Sequence, residues 1–279
     1  MAKSVYSGEF KSIDTPEKAY VLGLIYSDGY IGCYSGSYVT TIVMHEDDIE
    51  LLKKIQSLFP FYHLRKHSET SYCLICNKKD FYNDLTCNGV LEKKSTNNKE
   101  YLKFPNIPEE LQHHFIRGYF DGDGSVFKQK LGNTKIEIGG TGFRIITDIV
   151  KILYNNRIAV NLRCRYTGKA LRKNDFYVLY TSSDKISKEF AKYIYKDSNG
   201  LFLKRKYDRL FYIPEYSRKE RLICPYCHNN NTVYLGVRKM LHHTMQRGYC
   251  KNCNKQFSIK LTAPLGSNTQ SGGDELLES

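Results

Sequence analysis

Val21-Leu22-Gly23-Leu24-Ile25-Tyr26-Ser27-Asp28-Gly29 and Ile116-Arg117-Gly118-Tyr119-Phe120-Asp121-Gly122-Asp123-Gly124 are two versions of one phrase. Each is a largely apolar run with a small residue four places after its glycine, and each closes on Asp-Gly. The flanks make both stretches helical. Thr15 is a good N-cap, Pro16 suits the first helical position and Glu17 adds an acid to the first turn. Pro108, Glu109 and Glu110 are expected to open the second helix in the same way, with Gly29 and Gly124 supplying left-handed residues just past the two ends. A helix C-terminus carries partial negative charge, so a carboxylate placed there twice is unfavourable for folding alone. Something positive should sit between Asp28 and Asp123.

Residues four apart share a helix face, which puts Gly23 with Ser27 and Gly118 with Gly122. Two such faces can pack with their backbones unusually close and bring the two acid ends together. Two carboxylates that near one another cannot both stay ionised without a proton or a cation between them.

The segments after each phrase repeat as well. After the first come a strand over Tyr38 to Met44, a helix over Asp47 to Leu58, strands over Tyr62 to Lys66 and Ser71 to Cys76, and a helix near Asp80 to Leu85. After the second come strands over Ser125 to Lys130 and Lys135 to Ile138, then a helix over Phe143 to Asn155. Strands over Asn161 to Thr167 and Phe176 to Thr181 and a helix over Lys185 to Tyr195 complete it. This order predicts an α+β protein of two duplicated halves, each a sheet with one face under helices and the other free.

Charge says what the free faces would meet. The net charge of +13 and pI of about 9.2 fit a partner that is a polyanion. Basic residues also alternate along strands: Arg163 with Arg165, Lys128 with Lys130 against Phe127 and Leu131, and His63, Arg65 and His67 against Tyr62 and Leu64. Such a ribbon can enter the major groove of DNA, where arginine and lysine read guanine edges. A solvated face that keeps the protein soluble is the other reading of the same charges.

The paired phrases, their order and their spacing resemble the two LAGLIDADG motifs of single-chain homing endonucleases, over roughly residues 14 to 214. The resemblance implies two pseudo-symmetric αββαββα halves, residues 14–104 and 105–214, with the motif helices as their mutual interface. It implies a site-specific double-strand DNA endonuclease, monomeric, in which Asp28 and Asp123 bind catalytic Mg²⁺ or Mn²⁺. One phosphodiester is hydrolysed per strand and 3′ overhangs are left. The family also carries a lysine late in each half, and the role passes to Lys94 and Lys206, with Lys93 and Lys204 as neighbouring registers. Tyr26 departs from the pattern, standing where the first motif often has an acid, whereas Asp121 keeps it in the second. A non-cleaving DNA-binding regulator, or an intron-splicing cofactor that binds RNA, is the alternative on the same fold. No Ser-His-Asp or Cys-His arrangement argues for a covalent nucleophile.

Cys224-Pro-Tyr-Cys227 and Cys250-Lys-Asn-Cys253 form an independent feature, two CxxC knuckles about twenty residues apart. Their spacing predicts a structural Zn²⁺ site and a small C-terminal zinc ribbon over residues 220–260, resembling those of transposases. Lys239, Arg247, Lys251 and Lys255 make the module basic. It either lengthens the DNA contact or staples a segment too small to build a core. Cys73 and Cys76 point to opposite faces of a strand, and Cys33, Cys87 and Cys164 are expected to be buried thiols. The adjacent pairs His113-His114 and His242-His243 cannot each face one point. Met1 to Ile13 lacks the apolar stretch of a signal peptide and no run is long enough to span a membrane, so an intracellular protein is expected. Residues 261–279, rich in Gly, Ser and acids, read as a disordered tail.

Overall fold

The computed structural model describes residues 5–92, 101–128, 133–165, 175–211, 222–239 and 244–261. Lys94, Lys130, His242, His243 and the tail from residue 262 lie outside them, as do the side chains of Lys128 and Lys239. The chain forms two compact units.

The larger unit is a duplicated α+β fold. Its first half runs α1 (Pro16–Ser27), β1 (Tyr30–Tyr34), β2 (Ser37–His45), α2 (Ile49–Leu58), β3 (His63–Ser68), β4 (Ser71–Cys76) and α3 (Lys79–Cys87). The second repeats it as α4 (Gln112–Asp123), β5 (Gly124–Lys128), β6 (Thr134–Gly140), α5 (Phe143–Asn155), β7 (Asn161–Arg165), β8 (Phe176–Thr181) and α6 (Asp184–Ile194), followed by α7 (Lys204–Phe211). Each half holds an antiparallel four-stranded sheet, ordered β1-β2-β4-β3 in the first and β5-β6-β8-β7 in the second. The repeated αββαββα order is the architecture that the paired motifs imply.

A helix buried on every side belongs in the centre of a protein. Every residue from Ala19 to Ser27 of α1 is buried, as is every residue from His113 to Asp121 of α4. α2, α5 and α6 instead bury one stripe each, such as Ile145, Ile146, Ile149 and Leu153 of α5. The inward faces of the sheets supply the remainder of the core, with Ile31, Ile42, Leu74 and Cys76 in one and Val126, Ile136, Ile138 and Leu179 in the other. Arg65 pairs with Cys73 and Arg163 with Val178, so these residues occupy the opposite, helix-free faces.

Several local expectations change. α4 opens through a 3-10 turn, Glu109–Leu111, rather than directly from Pro108. Neither Gly29 nor Gly124 has a positive φ, because the chain passes from helix straight into extended strand; Gly124 has φ −83° and ψ 156°. What demands glycine there is space, since a Cβ at Gly29 would stand 2.8 Å from the Ile25 carbonyl oxygen and one at Gly124 would strike that of Phe120. Cys33, Cys87 and Cys164 are exposed, not buried, since two lie on edge strands and the third ends a surface helix. The rings of His113 and His114, both buried, lie 3.9 Å apart despite their adjacency.

The smaller unit is a three-stranded antiparallel sheet, β9 (Thr232–Lys239), β10 (Thr244–Cys250) and β11 (Gln256–Leu261), with β10 central. Its small core is Cys224, Cys250 and Phe257, packed against Leu222 and Ile259. Among the described residues, no helix is long and apolar enough to cross a membrane.

Candidate active site and metal centre

α1 and α4 cross backbone to backbone. A Cβ added at Gly23 would lie 2.8 Å from the Tyr119 nitrogen and collide with the Phe115 carbonyl oxygen. A Cβ at Gly118 would lie 2.9 Å from the Leu24 nitrogen and collide with the Tyr20 carbonyl oxygen. Tyr20 and Phe115 immediately precede the two phrases, and Leu24 and Tyr119 hold matching places within them, so the contact is reciprocal. One turn further on, Ser27 occupies the space that a side chain at Gly122 would need, and Asp28 Oδ2 lies 3.1 Å from that point. The Asp28 carboxylate therefore stands beside the residue preceding Asp123. Tyr119 ties the pair together: its hydroxyl bonds to Asp123 and also feels Asp28, and burial first, then these carboxylates, hold its pKa well above the usual range.

Lys206 on α7 brings a positive group to the end of α4. Its ammonium is buried, with 4% exposure, and donates to the carbonyl oxygens of Phe120 (2.8 Å), Asp121 and Gly122 (3.1 Å). The Phe120 carbonyl also accepts the Gly124 N–H that closes α4, while those of Asp121 and Gly122 lie beyond the intrahelical bonds of the last turn, and an ammonium has three protons to give the three oxygens. Burial lowers the pKa of Lys206 to about 8, against the opposing pull of Asp121, Asp28 and Asp123. Lys204 is 81% exposed and pairs with Asp208. Of these two registers, only Lys206 reaches the helix end.

Beneath this end lies a polar network with no counterpart among the described residues of the first half. Asp121 Oδ2 accepts from the Tyr20 hydroxyl (2.8 Å) and the Leu203 backbone nitrogen (2.9 Å). Burial raises its pKa to about 6, with the Leu203 bond and Lys206 opposing. Arg117, wholly buried, lies 5.0 Å over the Tyr20 ring and donates to the carbonyls of Leu201 (2.8 Å) and Ile194 (2.9 Å). In the first half Tyr26 occupies the position of Asp121 and donates to the Asn88 carbonyl (2.6 Å). Sequence reasoning did not assign roles to Tyr119 or Tyr20; motif spacing marks the helix end but not which neighbouring ring reaches it.

On the open face of the second sheet, Arg163 and Arg165 do not stand alone. Both donate at 2.7 Å to Glu137 Oε1, which also pairs with Lys135 at 2.6 Å. Phe127 pairs with Lys135 across the ladder, so of the alternating residues of β5 it is Phe127 that lies on the helix-free face. Arg65 is exposed on β3, and Lys251 is exposed in the second cysteine knuckle.

In the smaller unit the four sulfurs of Cys224, Cys227, Cys250 and Cys253 lie within 4.8 Å of one another. Cys224 and Cys253 are 3.6 Å apart and Cys227 and Cys250 3.5 Å, near the roughly 3.8 Å edge of a tetrahedron with zinc–sulfur bonds of about 2.3 Å. The two knuckles are built alike. His228 and Asn254, each just after the second cysteine, both have φ 56°, and the Cys224 and Cys250 nitrogens donate to the Asn229 and Lys255 carbonyls. The Asn229 backbone bond pulls the Cys227 thiol down and burial pushes that of Cys253 up, so the four close thiols share their protons unevenly, and a metal ion would take all four as thiolates. His228 is the turn residue and not part of the cluster.

Residues 110–195 match the LAGLIDADG-like domain. They take in all of α4 and run through β5 to α6, and the first half repeats the same order of elements. Three solved LAGLIDADG-type structures are similar to the chain. Mesophilic variants of the homing endonuclease I-DmoI are 18% identical, cover 70% of this chain and 97% of their own, and have a TM-score of 0.48. The meganuclease I-AabMI bound to uncleaved DNA is 15% identical, covering 71% and 88%, with a TM-score of 0.46. I-SmaMI bound to uncleaveable DNA is 12% identical, covering 64% and 84%, with a TM-score of 0.44. No curated protein matches the chain.

Proposed function

We propose that the protein is a site-specific double-strand DNA endonuclease of the LAGLIDADG homing type, acting as a monomer. The observation that carries this reading is the convergence of two acid-terminated helices across a glycine contact that admits no side chain. Asp28 and Asp123 are hard oxygen donors whose mutual repulsion a divalent cation relieves, so the pair fits Mg²⁺ or Mn²⁺. Bound there, such ions supply Lewis acidity to the scissile phosphate and ease the deprotonation of water.

The protein's own groups hold that arrangement. Lys206 balances the negative end of α4, so that Asp123 can remain ionised there, and Tyr119 fixes the Asp123 carboxylate by a hydrogen bond. Lys94 is assigned the corresponding role in the first half on the resemblance alone. Arg65, Lys128, Lys130, Arg163 and Arg165 are assigned to the DNA duplex, with one phosphodiester hydrolysed per strand and 3′ overhangs left. The cysteine module fits a structural Zn²⁺, and Lys239 and Lys251 are assigned to DNA contact on the charge of the module alone.

The test is cleavage of a randomised duplex library in Mg²⁺ by the full chain, beside Asp28→Asn and Asp123→Asn. A single long target cut with 3′ overhangs is expected, with cutting lost in either variant while binding persists. Full cutting by the double variant would refute the site, and selective binding without cutting by the natural chain would make it a regulator or splicing factor.

A further inference from the structure

Glu137 sits on β6, in the interior of the second sheet, with its side chain 13% exposed on the helix-free face. One oxygen of it, Oε1, takes three cations of that face: Lys135 at 2.6 Å, Arg163 at 2.7 Å and Arg165 at 2.7 Å. Rings on the same face hold the other side of two of these groups. The Arg163 guanidinium lies 4.4 Å over Tyr180, and the Lys135 ammonium lies 5.2 Å from the Phe127 ring and 5.6 Å from Tyr180. Three cations on one carboxylate leave an excess of two positive charges, so the cluster still attracts an anion. Each arginine uses one terminal nitrogen on Glu137 and keeps other donors of its planar fork. Arg163 Nε is buried without a hydrogen-bond partner.

The first sheet is its internal comparison. Strand pairing puts Thr41 where the second sheet has Glu137, Val39 where it has Lys135, and Arg65 where it has Arg163. Among the described residues Arg65 has no carboxylate partner. An unbraced arginine can reach several phosphates or bases in turn. A braced one presents its fork in one orientation, which bidentate recognition of the guanine O6 and N7 edge requires.

We infer that Glu137 is a specificity-determining positioning residue, which locks Arg163 and Arg165 so that the second half reads guanine in its half-site. This rests on the DNA-endonuclease reading above and adds to it an asymmetry between the halves.

The experiment is selection of bound duplexes from a randomised library by the full chain, compared with Glu137→Gln, Glu137→Ala and Arg163→Lys. Arg65→Ala identifies the half-site under the first sheet. The natural chain is expected to specify guanine at one or more positions of the other half-site. The Glu137 variants should lose on the order of tenfold discrimination there, with the first half-site unchanged. If Glu137 merely lowers the charge, its removal tightens binding to all sequences and leaves the guanine preference intact, which overturns the inference. A natural profile without guanine in that half-site also overturns it. Should the Glu137 variants unfold in a melt, Arg163→Lys carries the test, since a lysine is a point donor and must lose the preference. No binding of any duplex by the natural chain refutes the parent reading instead.

Discussion

Gly118→Ala puts one methyl group into the α1–α4 crossing and tests the arrangement on which the active site depends. The added carbon would lie 2.9 Å from the Leu24 nitrogen and collide with the Tyr20 carbonyl oxygen, both main-chain atoms of a buried helix that no rotamer change can move. Overpacking a well-packed core costs about 1–3 kcal/mol, and a backbone obstacle belongs at the upper end, ~3 kcal/mol. Alanine is the better helix former by about 1 kcal/mol, which leaves a net loss of ~2 kcal/mol. For a unit of this size that lowers Tm by roughly 4–8 °C. The helices relieve the clash by separating, which moves the last turns that carry Asp28 and Asp123. A misplacement of ~1 Å costs about 100-fold in rate. Thermal unfolding and single-turnover cleavage of the selected target measure the two effects, and Gly23→Ala should reproduce both because its contact is the reciprocal one. A Gly118→Ala protein with unchanged Tm and unchanged cleavage would refute the close crossing.

Two other perturbations separate other parts of the structure. Burial, followed by the Arg117 charge, lowers the His114 pKa to about 3, below the ordinary 6.5. The unfolded chain therefore takes up a proton that the folded one refuses, and stability falls as pH drops from 6.5 toward 3. Asp121, raised to about 6, acts in the opposite sense between pH 6 and 3.8. It is present in both proteins when the natural chain is compared with His114→Gln, whose amide oxygen can still accept from Arg117. Urea unfolding at pH 7.5 and pH 5 should show the larger acid loss in the natural chain, and equal losses would contradict the buried neutral imidazole. In the smaller unit, Cys250→Ser or a strong chelator should release one zinc per chain, because tetrahedral coordination loses one of its four ligands. It should also melt a sheet whose core is little more than Cys224, Cys250 and Phe257, while the transition of the larger unit stays in place. Metal analysis and calorimetry read both, and unchanged metal content would exclude the four-thiolate site.

Periodicity and local chemistry were enough to read most elements directly. β4, α5 and β8 fall where strand and helix patterns put them: α5 buries one regular stripe, and β4 and β8, interior to their sheets, are apolar runs buried toward both faces at Cys73-Leu74 and Val178-Leu179. The duplication was legible for the same reason: two copies of one pattern must bury matching faces. The cysteine module was equally plain, because ligand spacing within a knuckle is a local constraint. The glycines after the motif helices were misread, for a left-handed turn and a lack of room select the same residue. Only the approach of Ile25 and Phe120 distinguishes the two.

By itself the sequence determined that two acid-ended helices exist, that they belong to matching halves, that the chain is strongly basic and that four cysteines are spaced for one metal. The tertiary structure decided which distant groups answer them. Lys206 lies more than eighty residues beyond the α4 carbonyls that it caps. Glu137 is brought to Arg163 and Arg165 only by the β6-β8-β7 order of the sheet. Chain periodicity reports which face of an element is buried, but a charge finds its partner through whatever the packed fold sets beside it, and no local spacing encodes that.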